Sequence, residues 1–206
     1  MSLISAKDEE RISAAITEAE RNTSGEIVAV LAEQSSRYQH IPFMWAGLLA
    51  LVIPWPLIYY TWMPVQWIFL IQLLVFLALL ALAWHPRVRT SLVPKAILNA
   101  NTRRRASEQF LAQNLHTTEG RTGVLIFVSL AEKRVEVIAD SGIDALVPPG
   151  TWQKIVDELT ADIGAGRAVD GFERAIKSIG DLLAAHFPPG DADPNVLPDH
   201  LIVLRS

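Results

Sequence analysis

The pattern of apolar and polar positions divides the chain into an uncharged middle part and two flanking parts of mixed composition. Residues 43–62 and 67–84 are apolar runs of 20 and 18 residues, and residues 41–84 contain no Asp, Glu, Lys or Arg. A helix needs about 20 apolar residues to cross the hydrocarbon core of a bilayer. Only residues 63–66 separate the two runs, so the pattern predicts two antiparallel transmembrane helices joined by a tight turn.

Several residues inside these runs refine the predicted hairpin. Pro54 and Pro56 are expected to kink the first helix, because proline removes a backbone donor and clashes with the preceding turn. Gln72 is a polar group that prefers a neighbouring helix to lipid. If Gln72 and Ala46 or Ala50 line a helix contact, the sequence favours a structural subunit of a larger membrane complex.

The flanks of the hairpin carry basic residues and the turn carries none. Basic residues near transmembrane ends mark the cytoplasmic side. The chain also begins without a basic stretch leading into an apolar one, so no secretory signal is predicted. We therefore predict an inner (cytoplasmic) membrane protein with two spans and both termini in the cytoplasm. The basic residues behind this orientation are Arg37, Arg87, Arg89, Lys95 and residues 103–105.

The flanking parts show helix and strand periodicities. Ser5 followed by Asp8 predicts a capping box that opens an amphipathic helix to about residue 21. Short apolar runs predict three strands, and helical spacing predicts three further helices. The strands are expected at residues 26–32, 123–130 and 134–139, and the helices at residues 93–115, 152–163 and 172–183.

The order of these elements predicts an α/β fold, in which a small sheet is flanked by helices. A lone buried strand cannot satisfy its backbone, so the first strand must pair with strands beyond the hairpin. We expect residues 1–40 and 85–187 to form the two parts of this domain, residues 41–84 the inserted hairpin, and residues 188–206 a Pro/Asp-rich tail, extended or disordered until residues 201–204.

Composition excludes several classes of site. The absence of cysteine excludes a disulfide framework, a thiolate zinc site, an iron–sulfur cluster and a cysteine nucleophile. Residues 85–115 hold six basic side chains and one acidic side chain. Because this basic segment follows a membrane helix, it favours anionic headgroups over nucleic acid as its contact.

The pattern resembles the TPM domain family. The resemblance rests on residues 24–30 (SGEIVAV), 123–130 (GVLIFVSL), 133–138 (KRVEVI) and 140–144 (DSGID), together with Trp152 and the ending at residues 179–188. It implies a small Rossmann-like α/β/α sandwich, with the hairpin inserted after its first strand. Relatives are linked to acid phosphatase activity, divalent-metal binding and the assembly or repair of membrane complexes.

Acidic residues supply the candidate chemistry. Asp140 and Asp144 follow the third predicted strand, and Asp170 and Glu26 are possible neighbours in space. Carboxylate oxygens suit Ca²⁺ or Mg²⁺, so these four residues are the predicted metal ligands. The alternative is structural: Asp140 opens a turn before Gly142 and Asp170 caps a helix.

Besides the structural subunit named above, two functions stay open at this point. The first is a membrane accessory or assembly factor whose cytoplasmic domain binds a membrane-protein partner, with or without a divalent ion. The second is a metal-assisted acid phosphatase of low efficiency, which requires several carboxylates to converge around a phosphate.

Overall fold

The computed structural model describes residues 4–36, 40–83, 93–189 and 200–204. The chain forms two compact units, one of Ser36–Leu98 and one of Met1–Ser35 with Asn99–Ser206. Arg37, Arg87, Arg89 and most of the predicted tail lie outside the described residues.

The helices are numbered along the chain, and α5 crosses from one unit into the other. In order they are α1 (Ala6–Glu20), α2 (His40–Val52), α3 (Pro54–Tyr60), α4 (Val65–Ala83), α5 (Lys95–Ala112), α6 (Ser141–Asp144), α7 (Thr151–Gly164) and α8 (Ala168–His186). The strands are β1 (Ile27–Ala32), β2 (Val124–Ser129), β3 (Arg134–Ala139) and β4 (Ile202–Leu204).

The larger unit contains a sheet with strand order β3-β2-β1-β4. β1 pairs in parallel with β2, with Ile27 opposite Val124, and in parallel with β4. β3 is antiparallel to β2. The first strand therefore pairs with a strand that follows the apolar segment, as predicted.

Helices cover both faces of this sheet. Every residue of β1 and β2 is buried, and alternate side chains point to opposite faces. Ile27, Ala29 and Leu31 join a core with residues of α1, α7 and α8. Val28 and Val30 join a smaller core with residues of α5. The predicted α/β/α sandwich is confirmed.

Local signals explain where α1 begins. The Ser5 hydroxyl accepts a hydrogen bond from the Asp8 backbone at 3.2 Å, and the Asp8 carboxylate accepts one from the Ser5 backbone at 3.2 Å. This is the predicted capping box, which satisfies two donors at the helix start.

β4 is an addition to the predicted fold. Only three strands were expected, and residues 188–206 were assigned to a tail. Ile202–Leu204 instead pair with Val30–Ala32 and form the edge of the sheet. A strand this short takes its register from the backbone of its neighbour, which a local sequence pattern does not show.

The smaller unit contains two helices that are long and apolar enough to cross a membrane, Pro42–Tyr60 and Val65–Ala83. The first is interrupted at Ile53, between α2 and α3, where Pro54 cannot donate a backbone hydrogen bond. Ile53 keeps helical backbone angles (φ −56°, ψ −41°), so the interruption is a local one at the predicted proline position. Residues 61–64 connect α3 to α4 without helical structure.

Helices α2 and α4 pack against each other. Ala46 and Ala50 on α2 and Ile68 on α4 are buried, and Gln72 is half-buried. Small residues one turn apart allow two helices to approach closely. Since α2 and α4 belong to the same hairpin, burial of the two alanines does not require a second subunit.

Candidate functional site

The topology brings two of the predicted acids to one end of the sheet. Glu26 precedes β1 and Asp140 follows β3, and the antiparallel direction of β3 places both at the same edge. Gly123 lies between them: its carbonyl accepts from the Asp140 backbone at 2.9 Å, while the Glu26 carbonyl accepts from Val124 at 2.8 Å. Both acidic residues are buried.

Asp140 already has structural partners. Its Oδ1 accepts hydrogen bonds from the Ser141 backbone at 2.6 Å and from Arg121 Nε at 3.1 Å. It also occupies the N-cap position of α6. Its Oδ2 is buried and has no hydrogen-bond partner among the described residues. One carboxylate oxygen of Asp140 therefore has a structural role at the start of α6, in agreement with the structural alternative.

The other two predicted acids have partners elsewhere. Asp144 Oδ1 accepts a hydrogen bond from Trp152 Nε1 at 3.0 Å. Asp170 lies in the first turn of α8 and pairs with Arg11 at 3.1 Å, where Glu173 binds the same guanidinium. Within the part of the chain that the structure describes, no three His, Asp or Glu side chains are grouped to hold a metal ion. The metal site stays a prediction.

A buried carboxylate that the sequence did not single out lies at the opposite end of the sheet. Glu132 is 8% exposed. Its carboxylate accepts from the Ser35 backbone at 3.0 Å, from Ser35 Oγ at 2.9 Å and from Ser129 Oγ. Ser35 Oγ also lies 3.5 Å from Thr102 Oγ1 of α5. Glu132 thus connects the ends of β1 and β2.

The local backbone explains how Glu132 reaches this position. Lys133 has a φ of 50°, in the left-handed region, and its N–H donates to Leu130 O at 3.2 Å. This tight turn between β2 and β3 folds Glu132 back over Ser129. The sequence assigns residues 131–133 only to a strand connection. One signal in the sequence was the position of Glu132 after a predicted strand, because α/β folds bind ligands at the carboxyl ends of parallel strands.

A second charged cluster joins α7 to α8. Asp162 Oδ1 accepts from Arg167 at 2.9 Å, and its Oδ2 accepts from Arg174. The hydrogen bond from Arg174 is the main cause that holds the pKa of Asp162 below its usual range, and Arg167 contributes. Gly171 packs against the same residue, and a Cβ there would lie 2.9 Å from that of Asp162. This cluster connects the end of α7 to the start of α8.

An open groove of about 500 Å³ runs between α1 and α8. Its lining combines small side chains with charged rims: Ala15, Ala19, Gly180 and Ala184 are small, and Glu18, Glu173, Lys177 and Asp181 are charged. At its base, a Cβ on Gly180 would lie 2.7 Å from the Cβ of Ala19, so the two helices pack closely.

Helix α5 carries the basic side chains that follow the hairpin. Glu108 Oε1 binds Arg104 at 3.0 Å and its Oε2 binds Arg105 at 3.0 Å. Hydrogen bonds from Arg104 and then Arg105 lower the pKa of Glu108. Arg103 lies near Glu136 of β3, and burial raises the pKa of Glu136 against the opposing charges of Arg103 and Arg134.

The outward surface of the hairpin is apolar on both helices. The exposed large side chains of α4 include Phe69, Leu70, Leu73, Leu74 and Leu77. A helix in water presents polar residues on its outer face. These two helices therefore offer their surroundings a surface that water solvates poorly.

Comparison with known proteins adds two similarities. Residues 87–182 match the TPM domain. The NMR structure of the BA42 protein from the psychrophilic bacterium Bizionia argentinensis sp. nov. is similar in fold, with a TM-score of 0.61 and 20% sequence identity over 97% of this chain and 94% of that one. A search of curated proteins gave no match.

Proposed function

We propose, from the match of residues 87–182 to the TPM domain, that the chain is an integral membrane protein whose domain serves as an accessory or assembly factor. Two spans anchor it in the inner membrane, and the TPM domain lies in the cytoplasm. There it binds a protein partner. A divalent ion is a further ligand to be tested at the acidic residues.

The observation that carries the membrane part is the outward apolar surface of the hairpin. Side chains such as Leu73, Leu74 and Leu77 are exposed on α4, where each would cost free energy in water. In lipid the same side chains are favourably solvated.

The pairing of β1 with β2 supports an even number of membrane crossings between them. β1 precedes the apolar helices and β2 follows them, yet the two strands pair from Ile27 to Ala32. Paired strands must share one side of a membrane. A segment inserted between them therefore has to cross and return, and the basic flanks favour the cytoplasm as the shared side.

The absence of cysteine allows a direct topology experiment. Met63→Cys places a thiol in the turn and Ser178→Cys places one on α8. In intact cells, a membrane-impermeant maleimide should label Met63→Cys only, and lysis should expose Ser178→Cys. Recovery of the chain in the supernatant after an alkaline carbonate wash, or equal labelling of both sites in intact cells, would contradict the proposal.

The groove between α1 and α8 supports the partner-binding part, because it is open and its rims carry charges of both signs. Neighbouring positions give a matched test. A photo-crosslinking residue at Ala184 lies in the groove lining, whereas one at Ala185 lies on the exposed surface beside it. We expect a discrete crosslinked band from position 184 in membranes. Equal crosslinking from both positions would argue against the groove.

The phosphatase alternative requires carboxylates that converge around a phosphate. Among the described residues, Asp170 is held by Arg11 on α1, and Asp144 is held by Trp152. The favoured proposal is therefore the accessory role.

A further inference from the structure

We propose that the outer face of α5 is a binding surface for anionic phospholipid headgroups of the bilayer that holds the hairpin. The inference rests on the membrane insertion proposed above and adds a specific lipid chemistry to it. Its residues are Ile97, Arg103, Arg104, Ser107 and Leu111, named here the α5 outer face.

The inner face of α5 is already occupied. Thr102, Ala106 and Gln109 are buried, at the spacing of one side of a helix. Ala106 belongs to the core that covers one face of the sheet. The side chains on the opposite side of the helix are therefore turned away from the sheet.

The outer face combines apolar and basic side chains. Ile97 is 41% exposed and Leu111 is 58% exposed. Arg104 lies midway between them, and the three residues are spaced by seven, so they follow one stripe along the helix. A cluster of basic residues that follows a membrane span is typical of a site for anionic lipid headgroups.

The charge of α5 is strongly positive. Within Lys95–Ala112 there are four basic residues, and Glu108 is the single acid. Glu108 is shared between Arg104 and Arg105, so one carboxylate faces two guanidinium groups. Arg103 has the half-buried Glu136 nearby, and burial disfavours the charged form of that carboxylate.

The opposite layer of the sandwich has the reverse charge. Helix α1 carries five acidic and two basic residues, and α7 carries three acidic residues and one basic residue. An anionic surface is therefore attracted to the α5 side and repelled by the other. This difference selects a headgroup with negative charge over a zwitterionic one.

The chain length keeps α5 within reach of the bilayer. Helix α4 ends at Ala83 and α5 begins at Lys95. Because a residue spans at most about 3.6 Å, this segment cannot carry Lys95 further than roughly 40 Å from the end of the span.

The test uses the full chain in lipid nanodiscs with an environment-sensitive fluorophore on Ser107→Cys, in a protein without other cysteines. Discs contain phosphatidylcholine alone or mixed with phosphatidylglycerol. We expect a blue-shifted emission in the anionic discs only, weakened by salt, because salt screens charges over about 10 Å at 0.1 M.

The charge variant replaces residues 103–105 by glutamine, and each arginine lost should lower the ratio of docked to undocked α5 about fivefold. The control replaces Lys7, Arg21 and Lys154 by glutamine, which removes the same charge from α1, its C-cap and α7. Only the residue 103–105 variant should lose the blue shift.

Several results would overturn the inference. Equal emission in both kinds of disc, or equal behaviour of the two triple variants, would exclude headgroup recognition. A larger shift with a short RNA in detergent would assign the surface to nucleic acid. A chain that fails to incorporate into discs overturns both this inference and the membrane proposal, whereas incorporation without lipid selectivity overturns this inference alone.

Discussion

Helices α4 and α8 both have 19 residues, but α4 exposes most of its large apolar side chains and α8 buries most of its own. Ile68 is the buried residue of α4, and its outward side chains are large and apolar. Helix α8 buries one face, from Gly171 to Leu183, and exposes charged residues such as Lys177 and Asp181 on the other.

The difference shows that the surroundings of a helix are indicated by whether its apolar side chains lie on one face or all around it. Helix α8 is stabilised because folding removes one face from water. Helix α4 gains little by that route, since most of its apolar surface stays exposed. The proposed insertion into a membrane would give these side chains an apolar environment.

The largest expected effect concerns the buried face of α8. Phe172→Ala removes a fully buried ring of α8. It should lower the free energy of unfolding of the domain by about 3–5 kcal/mol, because it leaves a cavity. Thermal unfolding of the full chain in detergent measures this. Leu74→Ala on α4 is the control and should change the domain midpoint little; an equal loss would contradict the distinction.

A smaller effect tests the exposed apolar surface of α4. Leu74 is 56% exposed, so a protein in water would accept Leu74→Arg easily. In a transmembrane helix an arginine near the centre costs roughly 2.5–3.5 kcal/mol on insertion scales. We expect a larger carbonate-extractable fraction for Leu74→Arg than for Ala185→Arg on the exposed face of α8. Equal membrane retention of both variants would count against insertion of α4.

The smallest effect concerns the connection of α8 to α7. The pKa of Asp162 is lowered in the folded state, chiefly by Arg174. Its stabilisation is therefore present above the ordinary value of 3.8 and is lost as the pH falls through the lowered folded-state value. Asp162→Asn should be less stable than the parent near neutral pH, and the gap in melting temperature should close in acid. A gap that stays constant would exclude this linkage.

Much of the fold was predictable because its signals are local. Ser5 and Asp8 mark the start of α1 through a capping box, and helical spacing of apolar residues marks α7 and α8. The continuous apolar runs of β1 and β2 match strands buried on both faces.

The remaining features depend on contacts between distant parts of the chain. β4 is held by its pairing with β1. The Glu132 cluster requires Ser35, which is 97 residues away in sequence. Strand direction places Glu26 and Asp140 at one edge, but the ion pair of Asp170 with Arg11 depends on how α8 packs against α1.

The parallel pairing of β1 with β2 also sets an order of events during biosynthesis. Ile27 leaves the ribosome roughly 100 residues before Val124, its partner in the register, which at translation rates of about 5–20 residues per second is a delay of roughly 5–20 s. During that time a wholly apolar strand waits without a partner. Early delivery of the nascent chain to the membrane, or protection by a chaperone, would shield β1 from aggregation until its neighbour is made.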